Sequence, residues 1–246
     1  MAQSLKNGID ALLFLASKKS VGVTELAEAL GVHKSTAFRI LDTFLDANMV
    51  QKNPETSKYR LGPAILRLSE QYYNYFGIVA LAKPIMTRLA SEIRESVHLC
   101  VLDNNSAVVI EQALSASRLV VNAKIGNSEP LHCSSVGKCM LSFVPEPVRE
   151  TIIADITFEQ FTENTIQDEQ ALREELARIR QRGYAIDDEE LSEGIRCVAV
   201  PMFNERGACV YSLGVSGVVS RMTQEKLDKI VPLMQRAVND MVVPAV

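Results

Sequence analysis

Two short amphipathic segments joined by one glycine constrain the fold of this 246-residue chain more than any other feature. The first, "VTELAEAL", carries an apolar stripe at helical spacing, and Gly31 follows it where a left-handed residue can end a helix. In the second, "HKSTAFRILDTFLD", the apolar residues also recur with the period of a helix: Ala37, Ile40, Leu41, Phe44 and Leu45. A short helix, a tight turn and a second helix predict a helix-turn-helix.

The first turn of the second helix carries polar side chains. When such a helix enters the major groove of DNA, residues at this end reach the base edges. Cationic and hydroxyl side chains bond phosphate oxygens and bases alike. We therefore predict DNA contacts from His33, Lys34, Ser35, Thr36 and Arg39. His33 stands where a Ser, Thr, Asp or Asn cap is usual, so its role in DNA binding or in starting the helix stays open.

The stretch "VQKNPETSKYRLG" after this helix predicts a β-hairpin. Val50 and Gln51 begin a strand, residues 53–57 form a turn, and a return strand follows. A basic hairpin behind a helix-turn-helix is a wing, which contacts phosphates or the minor groove. The predicted wing contacts are Lys52, Lys58, Tyr59 and Arg60. Helix pairs with a glycine turn also occur without DNA, so the segment could instead be a dimerisation element.

The charge is unevenly distributed. The chain has a net charge of −4, yet residues 1–62 hold 8 basic and 6 acidic residues, a net +2. Residues 63–246 hold 18 and 24, a net −6. We expect only the N-terminal part to meet a polyanion.

Gly62-Pro63 predicts the start of a new helix, because proline is favoured at the first helical position. Its apolar stripe runs through Ile65, Leu68, Tyr72 and Phe76, which pair either with a second chain or with their own domain. The predicted domains are a winged helix-turn-helix over 1–62, a linker helix over 63–77 and an effector-binding domain over 78–246.

The remainder alternates helical and strand patterns. Strands are predicted in "VHLCVLD" and "AVVIEQA" around an Asn-Asn turn, in "SRLVVNAKIG" (117–126), in "YAIDDEE" and in a hairpin around "ERG". Helices surround them, which predicts an α+β domain with an antiparallel sheet. Dinucleotide, P-loop and zinc-protease motifs are absent from the sequence.

Two segments of this domain suggest a binding site. "PLHCSSVGKCMLSF" places Ser134, Ser135, Val136 and Gly137 at a helix N-terminus, where backbone N–H groups favour an anion. "DDEELSEGIRCVAVP" leads from a polar loop with Asp187 into a strand with Cys197. Each has a simpler interpretation: the serines as helix caps, residues 187–190 as a solvated acidic turn, Cys197 as a core residue, and His98 and His132 as structural histidines.

Several classes of protein are not expected from this sequence. Five cysteines without a C-x-x-C pair predict reduced thiols in a cytoplasmic protein. We find neither a signal-peptide pattern nor an apolar run long enough for a membrane span. The spacing of Cys, His and Asp supports neither a catalytic nucleophile nor a metal site, so we predict no enzyme, no cofactor and no metal.

With these motifs in place, the chain resembles the IclR family of bacterial transcription regulators over nearly its full length. The carrying stretches are "VTELAEALGVHKSTAFRILDTF", "KYRLG", "PLHCSSVGKCMLSF", "RGYAIDDEELSEGIRCVAVPMF" and "VSGVVSR". The resemblance implies a winged helix-turn-helix, a linker helix and a GAF-like effector domain. It also implies double-stranded operator DNA, a small-molecule acid effector, and a homodimer that pairs into a dimer of dimers.

The family's effector pocket corresponds here to His132, Ser134, Ser135, Val136, Gly137, Asp187, Ile195, Cys197, Gly214 and Ser216. This chain departs from the family pattern in two places: Ser135 adds a hydroxyl, and Gly214 stands where a serine is common. The helix N-terminus suits a carboxylate, whereas Asp187 suits hydroxyls. We therefore expect a hydroxy-acid or sugar-acid effector ahead of an aromatic acid.

Overall fold

The computed structural model describes residues 3–241, except for the side chains of residues 73–76. The predicted packing of Phe76 lies outside this description. Contacts divide the chain into two compact units, Met1–Phe76 and Gly77–Val246, which we call the head and the body. Among the described residues, no helix is long and apolar enough to cross a bilayer.

The head consists of three helices, a two-stranded hairpin and a fourth helix. They are α1 (Gln3–Ala16), α2 (Val23–Leu30), α3 (Lys34–Asp46), β1 (Val50–Lys52), β2 (Tyr59–Leu61) and α4 (Ala64–Phe76). Gly31 ends α2 in the left-handed conformation, at φ 62°, as the sequence predicts. Leu26, Ala37 and Leu41 are buried between the helices and form the core of the helix-turn-helix.

The predicted wing is present. β1 and β2 pair antiparallel, with Gln51 opposite Arg60. The Asn53 side chain accepts hydrogen bonds from the N–H groups of Glu55 and Thr56, which stabilises the turn. Tyr59 also pairs with Val21 through two backbone hydrogen bonds of 2.8 Å, so the wing is joined to the helices.

The body is one antiparallel sheet with helices packed against it, the predicted α+β arrangement. Its helices are α5 (Ile78–Ile93), α6 (Ser135–Phe143), α7 (Glu146–Asp155), α8 (Glu169–Arg182) and α9 (Gln224–Asn239). Its strands are β3 (Ser96–Asp103), β4 (Ser106–Ala113), β5 (Ser128–Pro130), β6 (Ala185–Asp188), β7 (Ile195–Phe203) and β8 (Cys209–Val218), in the spatial order β5-β4-β3-β8-β7-β6.

The strand predicted over residues 117–126 is wrong. That segment is irregular, and the edge of the sheet is occupied instead by β5, which pairs with residues 106–108 of β4. Its alternating apolar residues have another cause: Val121 and Ala123 face a cavity, whereas Leu119 and Ile125 are exposed. Three consecutive residues, 121–123, line the cavity, so this segment forms part of its rim and does not pair as a strand.

Helix α6 lies against one face of the sheet and sets the position of the candidate site. Small residues opposite one another in the register, Ala185, Ala199 and Gly214, leave room for the helix on this face. At its N-terminal end Gly137 packs against the chain before the helix, since a Cβ there would lie 2.6 Å from the carbonyl oxygen of Pro130. The start of α6 is thus held close to the sheet.

Candidate nucleic-acid interface and ligand cavity

The first turn of α3 presents its polar side chains to solvent. His33, Lys34, Ser35, Thr36 and Arg39 are all exposed, while Ala37 and Leu41 on the other face are buried. His33 is the N-cap residue by position, and its side chain makes no capping hydrogen bond. Packing on one face of α3 therefore leaves the opposite face available to a groove.

The wing adds further exposed cations. Lys52, Lys58 and Arg60 are exposed, and Arg60 donates a 3.3 Å hydrogen bond to the side chain of Gln51. Within the described part of the chain, no salt bridge engages Lys34, Arg39 or these three wing residues. Their charges are therefore free to neutralise phosphates.

Two residues of this surface differ from the sequence prediction. Tyr59 is not on the surface: it is 2% exposed in the head core, with the Lys52 ammonium 5.6 Å from its ring centre. Its strand alternates, so the neighbouring Arg60 points outward while Tyr59 points inward. Phe38 was not predicted as part of this surface, yet it is 48% exposed on α3, outside the apolar stripe. An exposed aromatic ring there can contact a thymine methyl group.

The body contains a cavity of about 180 Å³ between the start of α6, the sheet and two loops. That volume is equivalent to about six waters at liquid density, so it fits a small molecule. Seven predicted residues line it: Ser134, Ser135, Val136, Asp187, Ile195, Cys197 and Ser216. Seven others complete the wall: His98, Val121, Asn122, Ala123, Glu129, Leu191 and Ser192.

The strand register explains how distant residues meet in the cavity floor. Asp187 lies opposite Cys197, Cys197 opposite Ser216, and His98 opposite Gly214 in the adjacent row. Residues directly opposite one another in antiparallel strands point to the same face of the sheet. Four strands thus direct these polar side chains towards α6.

The start of α6 supplies hydrogen-bond donors. Ser134 is the N-cap, and its hydroxyl accepts a 3.1 Å hydrogen bond from the Gly137 N–H. The interpretation of Ser134 as a cap is therefore correct, although Ser134 also lines the cavity. No other described residue accepts a hydrogen bond from the N–H groups of Ser135 and Val136. Unpaired donors at a helix N-terminus favour an anion.

Two carboxyl groups, those of Asp187 and Glu129, form an acidic pole of the cavity. Asp187 is 2% exposed and accepts a 2.8 Å hydrogen bond from the Glu190 N–H, so it is not part of a solvated acidic turn. Burial raises the pKa of Asp187 to about 6, against the lowering effect of the Glu190 N–H and the Lys138 charge. Burial, together with the charge of Asp187, also raises the pKa of Glu129. A ligand carboxylate would be repelled from this pole, whereas hydroxyl groups could donate to it.

A buried ion pair holds the loop above the cavity. The Lys138 ammonium on α6 is completely buried and bonds the Glu190 carboxylate. Burial raises the pKa of Glu190 to about 7, even though Lys138 lowers it. The hydroxyls of Thr162 and Thr165 hold the same loop by donating to the carbonyl oxygens of Glu189 and Glu190. Residues Leu191 and Ser192 are thereby placed over the ligand space.

Two parts of this site, Lys138 and Glu129, were not predicted from the sequence. Lys138 lies within the quoted α6 segment, but a lysine between apolar residues gives no signal of burial until its partner is known. Glu129 precedes a proline in a short edge strand, and the pattern there predicts nothing about the face to which it points.

Three predicted pocket residues have other surroundings. His132 lies outside the cavity wall: its Nε2 pairs with the carbonyl oxygen of Glu159 at 3.0 Å, and its ring packs edge-on against Phe158. Gly137 and Gly214 also lie outside the wall, where they allow close packing. His98, by contrast, lines the cavity, and burial lowers its pKa to about 4.

Burial also affects the thiols. It raises the pKa of Cys197 well above its ordinary value, as does the nearby Asp187. A thiol with a raised pKa is a poor nucleophile. Among the described residues, no group of three or more His, Cys, Asp or Glu side chains could hold a metal ion.

Two family models match successive parts of the chain. The family model "Bacterial transcriptional regulator IclR C-terminal" matches residues 70–243, and "IclR helix-turn-helix domain" matches residues 4–54. The chain is 30% identical over 241 residues to the transcriptional repressor IclR of Escherichia coli K12, which covers 97% of this chain and 88% of that protein.

Solved structures are similar over the same length. The crystal structure of Thermotoga maritima IclR is 26% identical, with a TM-score of 0.81 and 98% of each chain covered. An IclR homologue from Microbacterium hydrocarbonoxydans, complexed with 4-hydroxybenzoate, has a TM-score of 0.81 at 22% identity, covering 97% of this chain and 98% of that one. At that identity the second similarity concerns the fold alone.

Proposed function

The chain belongs to the IclR family of bacterial transcriptional regulators, and from this premise we propose that it is a repressor controlled by a small hydroxy-acid or sugar-acid effector. The exposed cationic face of the head supports binding to double-stranded operator DNA. The cavity in the body supports effector binding. The observation that carries the effector proposal is that one small cavity is lined both by residues with free N–H donors at the start of α6 and by the buried carboxyl of Asp187.

We propose that α3 reads the operator and that the wing contacts its phosphates. The proposed contacts are His33, Lys34, Ser35, Thr36 and Arg39 from the helix and Lys52, Lys58 and Arg60 from the wing. Tyr59 is left out because its ring is buried. A footprint on the DNA upstream of the protein's own gene, repeated over a salt series, tests this, since binding through phosphates weakens steeply with salt.

The Arg39→Ala variant sharpens that test. It should weaken operator binding by about 5-fold or more, because an arginine that contacts a base contributes about 1–3 kcal/mol. Lys6→Ala is the matched control, since Lys6 is an exposed cation on α1 outside the proposed contacts, paired with Asp10. An unchanged footprint with folded Arg39→Ala would contradict the assignment of α3.

We propose that one carboxylate of the effector lies at the start of α6 and that its hydroxyls face Asp187. Asp187→Ala should weaken binding of hydroxy acids in calorimetry. Asp188→Ala is the control, because this neighbour is exposed and pairs with Arg196 instead. If only apolar aromatic compounds bind, the proposed effector class is wrong.

We propose that the protein acts in the cytoplasm as a homodimer that pairs into a dimer of dimers. Two heads would then meet half-sites separated by roughly 34 Å or a multiple of it. One face of α1 supports self-association, because Leu5, Ile9 and Leu13 recur at helical spacing and are more than half exposed. Effector binding would alter the placement of the heads through the linker helices, with a coupling of about 1–3 kcal/mol. Sedimentation with and without the effector measures the assembly.

The same apolar face favours a second candidate function, in which the head serves only for dimerisation and the protein acts through protein partners. The salt series separates the two functions: the alternative predicts no specific footprint at any salt concentration. In either case we propose regulation without catalysis or a cofactor, since the raised thiol pKa of Cys197 disfavours a nucleophile.

A further inference from the structure

The cavity wall contains a polar side chain without a polar partner, His98. It lies on β3 and is 4% exposed. Neither of its ring nitrogens hydrogen-bonds another described residue, and Nδ1 is also inaccessible to solvent. A neutral imidazole carries one donor and one acceptor, and buried groups of this kind are nearly always paired in folded proteins. An unpaired imidazole in a cavity wall therefore points to a partner that enters the cavity.

The backbone makes room for this ring. His98 lies opposite Gly214, and a Cβ on Gly214 would meet the ring nitrogen Nε2 most closely and would stand 2.7 Å from the ring carbon Cε1. It would stand equally close to the Cγ1 methyl of Val136 on α6. The imidazole and the first turn of α6 are thus neighbours across the missing side chain. A group bonded to His98 must lie close to a group bonded at the start of α6.

The charge around His98 limits what that partner can be. Burial keeps the ring neutral near pH 7, with a pKa of about 4. Asp187 and Glu129 line the same cavity, and the charge of Asp187 raises the pKa of Glu129. The free N–H groups of Ser135 and Val136 can take one carboxylate, but a second one would meet like charges. A hydroxyl can pair with a neutral imidazole and donate to a carboxylate.

We propose that His98 is a specificity-determining residue of the cavity that hydrogen-bonds a hydroxyl on carbon 2 or 3 of a small monocarboxylate. The protein therefore selects 2- and 3-hydroxy acids over the corresponding unhydroxylated acids and over dicarboxylates. This inference rests on the proposed function, namely that the cavity binds a small acid.

Calorimetry on the full chain with paired acids tests it. Lactate is compared with propionate, 3-hydroxybutyrate with butyrate, and succinate represents the dicarboxylates. The wild type should bind at least one hydroxy acid roughly 10- to 100-fold more tightly than its unhydroxylated partner, the range for a buried hydrogen bond whose loss leaves the protein group unpaired. In His98→Leu this preference should fall below about 3-fold, while the affinity for the unhydroxylated acid stays the same.

Two further variants keep the test decisive if His98→Leu does not fold. The amide nitrogen of His98→Asn lies as many bonds from the backbone as Nδ1, and that of His98→Gln as many as Nε2. Because Nδ1 is inaccessible, a ligand in the cavity reaches Nε2, so His98→Gln should keep more of the preference than His98→Asn. A preference that stays at the wild-type value in every folded variant overturns the role of His98.

The remaining outcomes separate this inference from the proposed function. If the wild type binds these acids without preferring the hydroxylated member, or prefers succinate, the role of His98 is overturned and the acid effector stands. If none of these acids or the longer sugar acids binds, the proposed effector class itself is wrong, and the inference fails with it.

Discussion

Replacing Gly214 by alanine perturbs the point where β8, His98 and α6 meet. The new methyl group would meet His98 Nε2 most closely and would stand 2.7 Å from both His98 Cε1 and Val136 Cγ1. Carbon atoms pack best at about 3.5–4.0 Å, so the helix must move by about 1 Å and the ring, which the methyl group meets through Nε2, by more. Because Gly214 does not have a positive φ, the cost comes from crowding rather than from backbone strain.

Gly214→Ala should lower the free energy of unfolding of the body by about 1–2 kcal/mol. Overpacking a core costs about 1–3 kcal/mol, and removing the freedom of a glycine in the unfolded chain returns up to about 1 kcal/mol. For a unit the size of the body, each kcal/mol lowers the unfolding midpoint by about 2–4 °C. We therefore expect a fall of about 2–8 °C in the midpoint of the body.

Scanning calorimetry can follow the unfolding transition of the body separately. Circular dichroism serves as the second probe, because the chain contains no tryptophan whose fluorescence could report unfolding. Gly8→Ala on α1 is the matched control. Its Cβ would meet Phe44 at an ordinary 3.5 Å, so it should stabilise the helix by up to about 1 kcal/mol.

A double variant identifies the cause. His98→Asn shortens the crowded side chain, so it should offset part of the cost of Gly214→Ala, with a coupling of about 1 kcal/mol. The contact with Val136 persists, and the rescue should therefore be incomplete. Equal stability of Gly214→Ala and wild type, or additive effects in the double variant, would refute the close packing of His98 against Gly214.

Three other predictions follow from the charges and burial in the two units. As the pH falls from 7 to 4, the free energy of unfolding of His98→Asn, measured in urea, should rise by about 2–3 kcal/mol relative to that of the wild type. The wild type loses stability over this range because its unfolded histidine takes up a proton at about 6.5, whereas the pKa of the buried one is lowered to about 4. The carboxyl groups facing His98 titrate in both proteins. Parallel pH curves would contradict this. Lys138→Met should destabilise the body by about 3–5 kcal/mol at pH 8, because it leaves the Glu190 carboxylate buried without its partner. The loss should be smaller at pH 6, where Glu190, whose pKa is about 7 with Lys138 present, can be protonated, and adding Glu190→Gln should restore much of the stability. A loss independent of pH would contradict an unpaired buried carboxylate. Tyr59→Phe should change the operator affinity by less than about 2-fold, because the Tyr59 ring is buried, whereas Arg60→Ala should weaken it through a lost phosphate contact. If a gel shift shows the opposite order, Tyr59 rather than Arg60 contacts the DNA.

The helix-turn-helix and the wing could be predicted from local sequence because their signals are local. The stripe of α3 lies on one helical face, and Gly31 adopts the left-handed conformation that its position predicts. Tyr59 was the exception. The strand pattern allowed either face to be outward, and only the pairing with Val21 and the packing of the helices decided which.

In the body the antiparallel hairpins and the start of α6 were likewise predictable, but the cavity depended on contacts between distant segments. The apolar residues at 117–126 predicted a strand, yet the segment is irregular, residues 121–123 line the cavity, and β5 occupies the sheet edge. Whether Asp187 was solvated could not be read from its acidic neighbours. Its burial follows from the strand register and from the loop that Glu190 and Lys138 close above it.

The sequence by itself determined the organisation of the chain: a cationic N-terminal helix-turn-helix, a helix beginning after Gly62-Pro63, and an acidic α+β domain with a helix N-terminus suited to an anion. These properties depend on periodicity, capping and net charge, which act over a few residues. Only the tertiary structure decided which polar groups face the cavity and which lack partners. Burial and pairing depend on side chains that are distant in sequence, and it is the unpaired imidazole of His98 beside Gly214 that narrows the proposed ligand.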